Sequence, residues 1–210
     1  LLGVVLGVVS SQRQHSWIDY LGTTISLVGY SVPIFWMAQM LILIFALYLN
    51  VFPSHGISSV RGVSSGIGHV FDVLYHLVLP SFTLGLGYFA RIYRQTRSKM
   101  LDVLGEDFII TAKSKGLDER SVLYKHALKN ALLPVMTLVL MDLGSIFAGA
   151  VLTETVFGWP GLGSLMYTGL TTRDYPVVLG VLLTVSTGVI VMNLVTDILY
   201  AVVDPRIRYK

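Results

Sequence analysis

The chain contains no cysteine and little charge. Its 210 residues include 15 Lys and Arg, 12 Asp and Glu, and no Cys. Only 13% of the residues are charged, whereas soluble domains carry about 25%. The absence of Cys excludes disulfide bonds and Cys-ligated metal sites. With 54% hydrophobic residues and a mean hydropathy of +0.72, the composition indicates an integral membrane protein.

Motifs for nucleotide hydrolysis and metal binding are also absent. No GxxxxGK[ST] segment occurs, which excludes a P-loop. The glycine-rich residues 62–66 and 158–163 lack the Lys and the strand–helix context of a P-loop, so loops are predicted there. The five histidines show no HExxH-like spacing. We therefore predict no catalytic residue, no metal site and no nucleic-acid partner in this chain.

Long apolar runs predict the membrane-spanning helices, since a span needs about 20 residues. Residues 1–10 are too short, and we interpret them as the end of a helix whose beginning is missing. Pro33 is expected to kink the first full span. The prediction is an all-α, polytopic transmembrane bundle forming one domain over residues 1–210. The predicted full spans are residues 25–49, 73–95, 130–153 and 176–202.

The distribution of Lys and Arg predicts the orientation. With residues 91–129 on the cytoplasmic side and alternation outward, thirteen of the 15 Lys and Arg residues fall on that side. Only Arg61 and Arg173 then fall outside, as the positive-inside rule requires. The loop of residues 96–129 and the basic C-terminal tail, residues 204–210, are therefore predicted to be cytoplasmic.

A charged segment, residues 106–134, interrupts the apolar runs and predicts two short helices around a glycine. Phe108, Ile109 and Ala112 share one side of the first helix. Gly116 suits the left-handed residue that closes a helix, and Asp118 suits the N-cap of the next one. Leu117 and Val122 have the spacing of a hydrophobic staple. The apolar side needs a covering partner, and the pattern leaves open whether this is another protein or the lipid headgroups.

This segment resembles the "EAA" loop of binding-protein-dependent ABC transporter permeases, in the dipeptide, oligopeptide and nickel branch. Ile110 departs from the general pattern, which has Glu there, in the manner of the peptide branch. The matching stretches are EDF (106–108), TAKSKGL (111–117), HALKNA (126–131), LP (133–134), ETVFGWPGLG (154–163), RDYPVV (173–178) and DPRIRY (204–209).

The resemblance implies a type I ABC importer permease in the inner membrane of a prokaryote. Its partners would be ABC ATPase subunits, a second homologous permease, an extracytoplasmic solute-binding protein and membrane lipid. ATP and Mg would be bound by the ATPase subunits. Peptides are the implied solute, with nickel or another small solute as the alternative. The residues implied to dock the ATPase are Glu106, Thr111, Ala112, Lys115, Gly116, Leu117 and Asp118.

Carboxylates within apolar segments are the other candidate functional groups, because burying them in lipid is costly. Asp142 either lines the solute route or fixes helix packing through a hydrogen bond, whereas a packing role is favoured for Asp197. Glu154 opens the block that the resemblance places at the outer mouth or gate, and its alternative role is a helix cap. An intramembrane hydrolase using both aspartates is a weaker hypothesis, since the two would lie at different depths. Gly144 with Ala148, and Ser145 with Gly149, permit close helix packing.

Overall fold

Every regular element in the described residues is helical, which confirms the predicted all-α class. The computed structural model describes residues 1–59, 66–146 and 150–203, and these ranges contain no strand. The helices are α1 (Leu2–Gln12), α2 (Trp17–Ser31), α3 (Ile34–Leu41), α4 (Ile67–Leu104), α5 (Asp107–Ser114), α6 (Glu119–Ser121), α7 (Leu128–Ile146), α8 (Val151–Phe157), α9 (Leu162–Thr172) and α10 (Tyr175–Val203). Two π-helical segments, Ile42–Tyr48 and Val122–Ala127, follow α3 and α6 directly.

Within the described residues, two helices are long and apolar enough to cross a membrane. They are α4 and, over Tyr175–Leu199, α10, and a broken pair made of Trp17–Ser31 and Ile34–Tyr48 is a third if counted as one span. Helix α4 has 38 residues and continues past the apolar run through its arginines, as the sequence predicts. The predicted span 130–153 includes residues 147–149, which the structure does not describe, so this span stays a prediction.

The chain breaks at Pro33 where a kink was expected. Helix α2 ends at Ser31 and α3 begins at Ile34, with Pro33 as its N-cap at φ −58° and ψ 135°. Proline lacks an amide hydrogen and disfavours helical geometry in the residue before it. The extended ψ at Pro33 therefore interrupts the helix, whereas a kinked helix would have continued through it.

The chain divides into two compact units, each with its own apolar core. The first unit contains Leu1–Ser31, Gly87–Asp142 and the residues from Val195 onward, and the second contains the described residues within 32–86 and 143–194. The buried core of the first unit consists of Val8, Met100, Ile109, Ala112, Val122, Leu123, Ala127 and Ala131. That of the second consists of Ala38, Leu41, Ile42, Ala46, Leu79 and Phe157.

Buried polar contacts attach α1 and α2 to α4 inside the first unit. The Tyr93 hydroxyl is fully buried and donates to Ser10 Oγ at 2.9 Å. The Arg97 guanidinium donates to both carboxylate oxygens of Asp19, at 2.6 and 2.8 Å. Such a bidentate pair fixes both the distance and the orientation of the two groups. These contacts hold the C-terminal part of α4 against the beginning of α2.

Several predictions concern residues outside the described ranges. They are the external position of Arg61, the loop over 62–65, the partners Ala148 and Gly149 of the small-residue pairs, and the basic tail 204–210.

Candidate docking surface

The first arm of the charged hairpin (residues 106–130) forms as the sequence predicts. Glu106 is the N-cap of α5, and Gly116 takes the left-handed conformation with φ +78°. The turn is closed by two hydrogen bonds, from Gly116 N to Lys113 O at 2.9 Å and from Leu117 N to Ala112 O at 3.4 Å. This pair of bonds defines a Schellman motif. An added Cβ at position 116 would meet nothing within 4 Å, so the backbone conformation alone favours glycine there.

The second arm begins at the predicted cap and runs directly into a long helix. The Asp118 carboxylate accepts a hydrogen bond from Ser121 N at 2.9 Å, which confirms the N-cap. From Glu119 the chain stays helical through the π-segment and α7 to Ile146, with Pro134 inside α7. The second arm of the hairpin is therefore continuous with α7.

The apolar side of the hairpin packs on the chain itself. Ile109 is 0% exposed and Ala112 is 7% exposed, and both belong to the core that includes Val8 of α1 and Met100 of α4. No external partner is needed to cover this side, contrary to the expectation from the sequence. The packing instead anchors α5 to two other helices and leaves its opposite side free.

The exposed side contains six of the seven predicted docking residues, namely Glu106, Thr111, Lys115, Gly116, Leu117 and Asp118. The prediction that Ala112 docks the ATPase is wrong, because its methyl group is buried in the core and cannot contact a partner. Phe108 is 43% exposed and was wrongly placed on the buried side, while Ile110 was missed and is 57% exposed. Helical spacing alone puts Phe108 near the border of the apolar face, and only the positions of α1 and α4 decide that it is left uncovered.

Asp142 lies against a basic residue from another helix. Its Oδ1 is 2.9 Å from Arg91 NH1, and the residue is only 7% exposed. A buried carboxylate paired in this way fixes α7 against α4, which supports the packing alternative. Asp197 on α10 is exposed. The contact with Arg91 could not be predicted from local sequence patterns, because the two residues are far apart in the chain.

Glu154 connects α8 to the beginning of α9. Its carboxylate accepts hydrogen bonds from Ser164 N at 2.9 Å and Ala150 N at 3.4 Å. Ser164 Oγ in turn accepts from Gly161 N at 3.0 Å, so the N-terminus of α9 is capped from two sides. A Cβ at Gly161 would overlap the Glu154 carboxylate. The cap alternative is thus realised in the structure, and the role of Glu154 at a gate stays a prediction.

In the part of the chain that the structure describes, no group of three or more His, Cys, Asp or Glu residues could hold a metal ion. The hairpin instead exposes charged and polar groups with a few apolar side chains, while Ile109 and Ala112 attach it to the core of the first unit.

Comparison with known proteins identifies the family. Residues 3–209 match the family described as the binding-protein-dependent transport system inner membrane component. The chain belongs to this family. Its members are permease subunits with the type I ABC permease fold, and ATP hydrolysis in these systems resides in separate subunits. The family resemblance and the expectation that the chain is not an enzyme are confirmed.

Similar proteins cover the whole chain. The dipeptide transport system permease protein DppB of Alkalihalophilus pseudofirmus is 44% identical over 223 residues, covering 100% of this chain and 67% of the relative. DppB of Escherichia coli is 42% identical over 226 residues, with the same coverage. The oligopeptide transport system permease protein AppB of Bacillus subtilis is 42% identical over 209 residues, covering 100% of this chain and 65% of the relative. The permease chain thus spans about two thirds of the length of these relatives.

Proposed function

We propose that this chain is a permease subunit of an ATP-driven importer of di- and oligopeptides. The names of three similar permeases, two for dipeptides and one for oligopeptides, support a peptide solute over nickel. A second, homologous permease completes the solute path, and an extracytoplasmic solute-binding protein delivers the peptide. ATP and Mg are bound by the ATPase subunits, and this chain binds neither.

The docking surface for the ATPase is the exposed side of the hairpin. We define this surface by Glu106, Phe108, Ile110, Thr111, Lys115, Gly116, Leu117 and Asp118. Charged and apolar side chains alternate there, as in protein interfaces that combine a small apolar centre with a polar rim. The observation that carries the proposal is the burial of Ile109 and Ala112 in the core of the first unit.

Rigid attachment is what transmission of movement requires. Because α5 is packed on α1 and α4, and the second arm continues into α7, a force on the docking surface reaches the membrane helices without first deforming the hairpin. Closure of the ATPase subunits would in this way switch the permease between outward-open and inward-open states. A passive channel would have no use for such a hairpin.

The docking surface and the C-terminus face the cytoplasm in this proposal, and the distribution of Lys and Arg supports that orientation. The lipid headgroups are the alternative neighbour of the hairpin. The exposed Phe108 and Ile110 fit that alternative, whereas the acidic Glu106 and Asp118 would be repelled by an anionic membrane surface.

Single-cysteine cross-linking tests the docking surface, since residues 1–210 contain no cysteine that would compete with the introduced one. Thr111→Cys and Ala112→Cys are neighbours on α5, but Thr111 is exposed and Ala112 is buried. In the assembled transporter, a thiol-directed photo-cross-linker on Thr111→Cys is expected to capture the ATPase. The same reagent on Ala112→Cys should label poorly and capture nothing.

Capture of lipid alone by Thr111→Cys, with no ATPase, would contradict the docking proposal. Modification of Thr111→Cys by a membrane-impermeant maleimide added from the external side of intact cells would contradict the orientation. ATP-dependent uptake of radiolabelled dialanine by proteoliposomes containing the complete transporter tests the solute, with nickel uptake as the comparison.

A further inference from the structure

Three arginines follow one another on one side of α4. Arg91, Arg94 and Arg97 recur at intervals of three residues, so their side chains lie above one another along the helix. All three line a cavity of about 490 Å³ within the first unit. The hydroxyl-bearing residues Thr23 and Ser98 line the same cavity, as does Tyr30. The cavity is therefore rich in hydrogen-bond donors.

Two of the three positive charges are matched by carboxylates of the chain. Arg97 is paired with Asp19 at 2.6 Å, and Arg91 is paired with Asp142 at 2.9 Å. The Arg94 guanidinium instead lies over the Tyr30 ring, 4.8 Å from its centroid. Among the ion pairs of the described residues, none within 4.0 Å involves Arg94. Asp102 also lines the cavity, but its carboxylate lies 3.0 Å from Lys99 Nζ. Among the described residues, Arg94 is thus the arginine of this cavity that no carboxylate pairs.

The stacking of Arg94 on Tyr30 orients this charge. A guanidinium lying on an aromatic face is attracted by the ring, and its N–H groups stay available at the edge. Two parallel N–H groups match two oxygens of one anion, and this geometry distinguishes Arg from Lys. The preferred ligand is therefore an anion with several oxygens, such as a phosphate.

Exposed apolar side chains lie next to the cavity. Tyr30 is 63% exposed and Leu27, one turn earlier on α2, is 58% exposed. Met141, one turn after the cavity-lining Leu138 on α7, is 66% exposed. In an inner membrane component, such side chains contact acyl chains. A ligand that fits both features has an anionic oxygen-rich head and an apolar tail.

We propose that this cavity binds the phosphate headgroup of an anionic phospholipid, with Arg94 as the charged contact and Ser98 as a hydroxyl donor. Basic cavities between membrane helices are suited to anionic headgroups, because each Lys or Arg near the surface contributes about 1 kcal/mol to their attraction. The leaflet is the cytoplasmic one, an assignment that depends on the orientation given under the proposed function. The binding itself does not depend on it.

Native mass spectrometry of the complete transporter, purified in detergent, tests the proposal. Phosphatidylglycerol is titrated against phosphatidylethanolamine, which has a phosphate but no net charge. Wild type should retain phosphatidylglycerol preferentially, and Arg94→Gln should weaken that retention about five- to tenfold, the effect of one basic contact. Arg94→Lys, which keeps the charge but loses the bidentate geometry, should give an intermediate value.

Arg13→Gln is the matched control. Arg13 is exposed in the connection between α1 and α2 and does not line the cavity, so phosphatidylglycerol retention should equal that of wild type. Equal retention by wild type and Arg94→Gln would overturn the proposal. So would an equal loss in Arg13→Gln, since that result would indicate unspecific attraction by surface charge.

Two competitors distinguish other sources of the same chemistry. Displacement of phosphatidylglycerol by glycerol 1-phosphate at similar concentration would show a site for a free phosphate. Displacement by dialanine would show a site for the carboxylate of the solute. Either result overturns the lipid assignment, and the lack of displacement by both supports it.

A measurement on wild type keeps the test decisive if Arg94→Gln fails to assemble. Phosphatidylglycerol with a photoreactive headgroup should label peptides from α2 or from residues 91–102, and labelling confined to other segments would overturn the proposal. ATP-dependent dialanine uptake is measured on the same preparation. Uptake without lipid retention would reject only this site, whereas lipid retention without uptake would reject only the proposed function.

Discussion

The hairpin between α5 and α6 and the corner between α8 and α9 use the same turn for different purposes. Each turns at a left-handed glycine, Gly116 with φ +78° and Gly158 with φ +63°. Each also has the Schellman pair of hydrogen bonds, the second from Gly158 N to Thr155 O and from Trp159 N to Glu154 O. The local geometry of the two turns is therefore the same in kind.

The groups that hold the two turns in place differ. The hairpin is held by apolar burial of Ile109 and Ala112, so its polar side chains stay exposed. The α8–α9 corner is held by the Glu154 carboxylate, whose hydrogen bonds go to Ser164 and Ala150. A turn anchored by apolar groups keeps its polar surface available to a partner. A turn anchored by a carboxylate uses that group internally.

Removing the apolar anchor should have the largest effect. Ile109→Ala deletes buried methyl groups from a fully buried site and should lower the free energy of unfolding by about 3 kcal/mol. The matched change on the exposed side of α5, Thr111→Ala, should cost less than about 0.5 kcal/mol. Circular dichroism during titration with SDS in mixed micelles measures both. Similar values for the two variants would mean that α5 is not anchored by its apolar side.

Removing the polar anchor should have an intermediate effect. Glu154→Ala leaves the Ser164 and Ala150 amides without their acceptor and should cost about 2 kcal/mol. The exposed N-cap of the hairpin gives a matched comparison, since Asp118→Ala should cost about 1 kcal/mol. Hydrogen exchange at the Ser164 amide is the direct readout and should accelerate in Glu154→Ala. Unchanged exchange together with lost transport would instead favour a role for Glu154 at a gate.

Adding one methyl group at Gly116 should have the smallest effect, whereas the same change at Gly161 should disturb the polar anchor. Gly116→Ala meets no atom, so it should cost about 1 kcal/mol through backbone conformation alone. Gly161→Ala should displace the Glu154 carboxylate and accelerate Ser164 exchange.

A double variant checks the second of these expectations. Once Glu154→Ala is present, adding Gly161→Ala should lower the unfolding free energy little further, because the two changes remove the same contact. Full additivity would show that Gly161 is needed for another reason.

The elements predicted well are those that depend on neighbours in the sequence. The N-cap Asp118 and the left-handed Gly116 involve residues within a turn of one another, and both are confirmed. Pro33 was correctly predicted to bend the first full span, which turns by 108° there, although the bend is a break between two helices. The ψ of 135° that ends the helix there is one of two outcomes that proline allows.

Contacts between distant residues were not predictable in the same way. The pairing of Asp142 with Arg91, the burial of Ala112 and the exposure of Phe108 all depend on which helices lie beside α5 and α7. Helical spacing assigns a side chain to a face but does not say how much of that face a neighbouring helix covers. The contact of Glu154 is intermediate between the local and the distant contacts, because its partner Ser164 is ten residues away and on another helix.

By itself the sequence determined the membrane character, the helical class and the charged hairpin with its turn, because hydropathy, helix capping and positive φ are properties of short segments. Only the tertiary structure decided that the hairpin covers its own apolar side, that Glu154 caps α9, and that Arg94 lines a cavity without a carboxylate partner. Those outcomes depend on distances between side chains remote in the chain, and such distances exist only once the helices have packed.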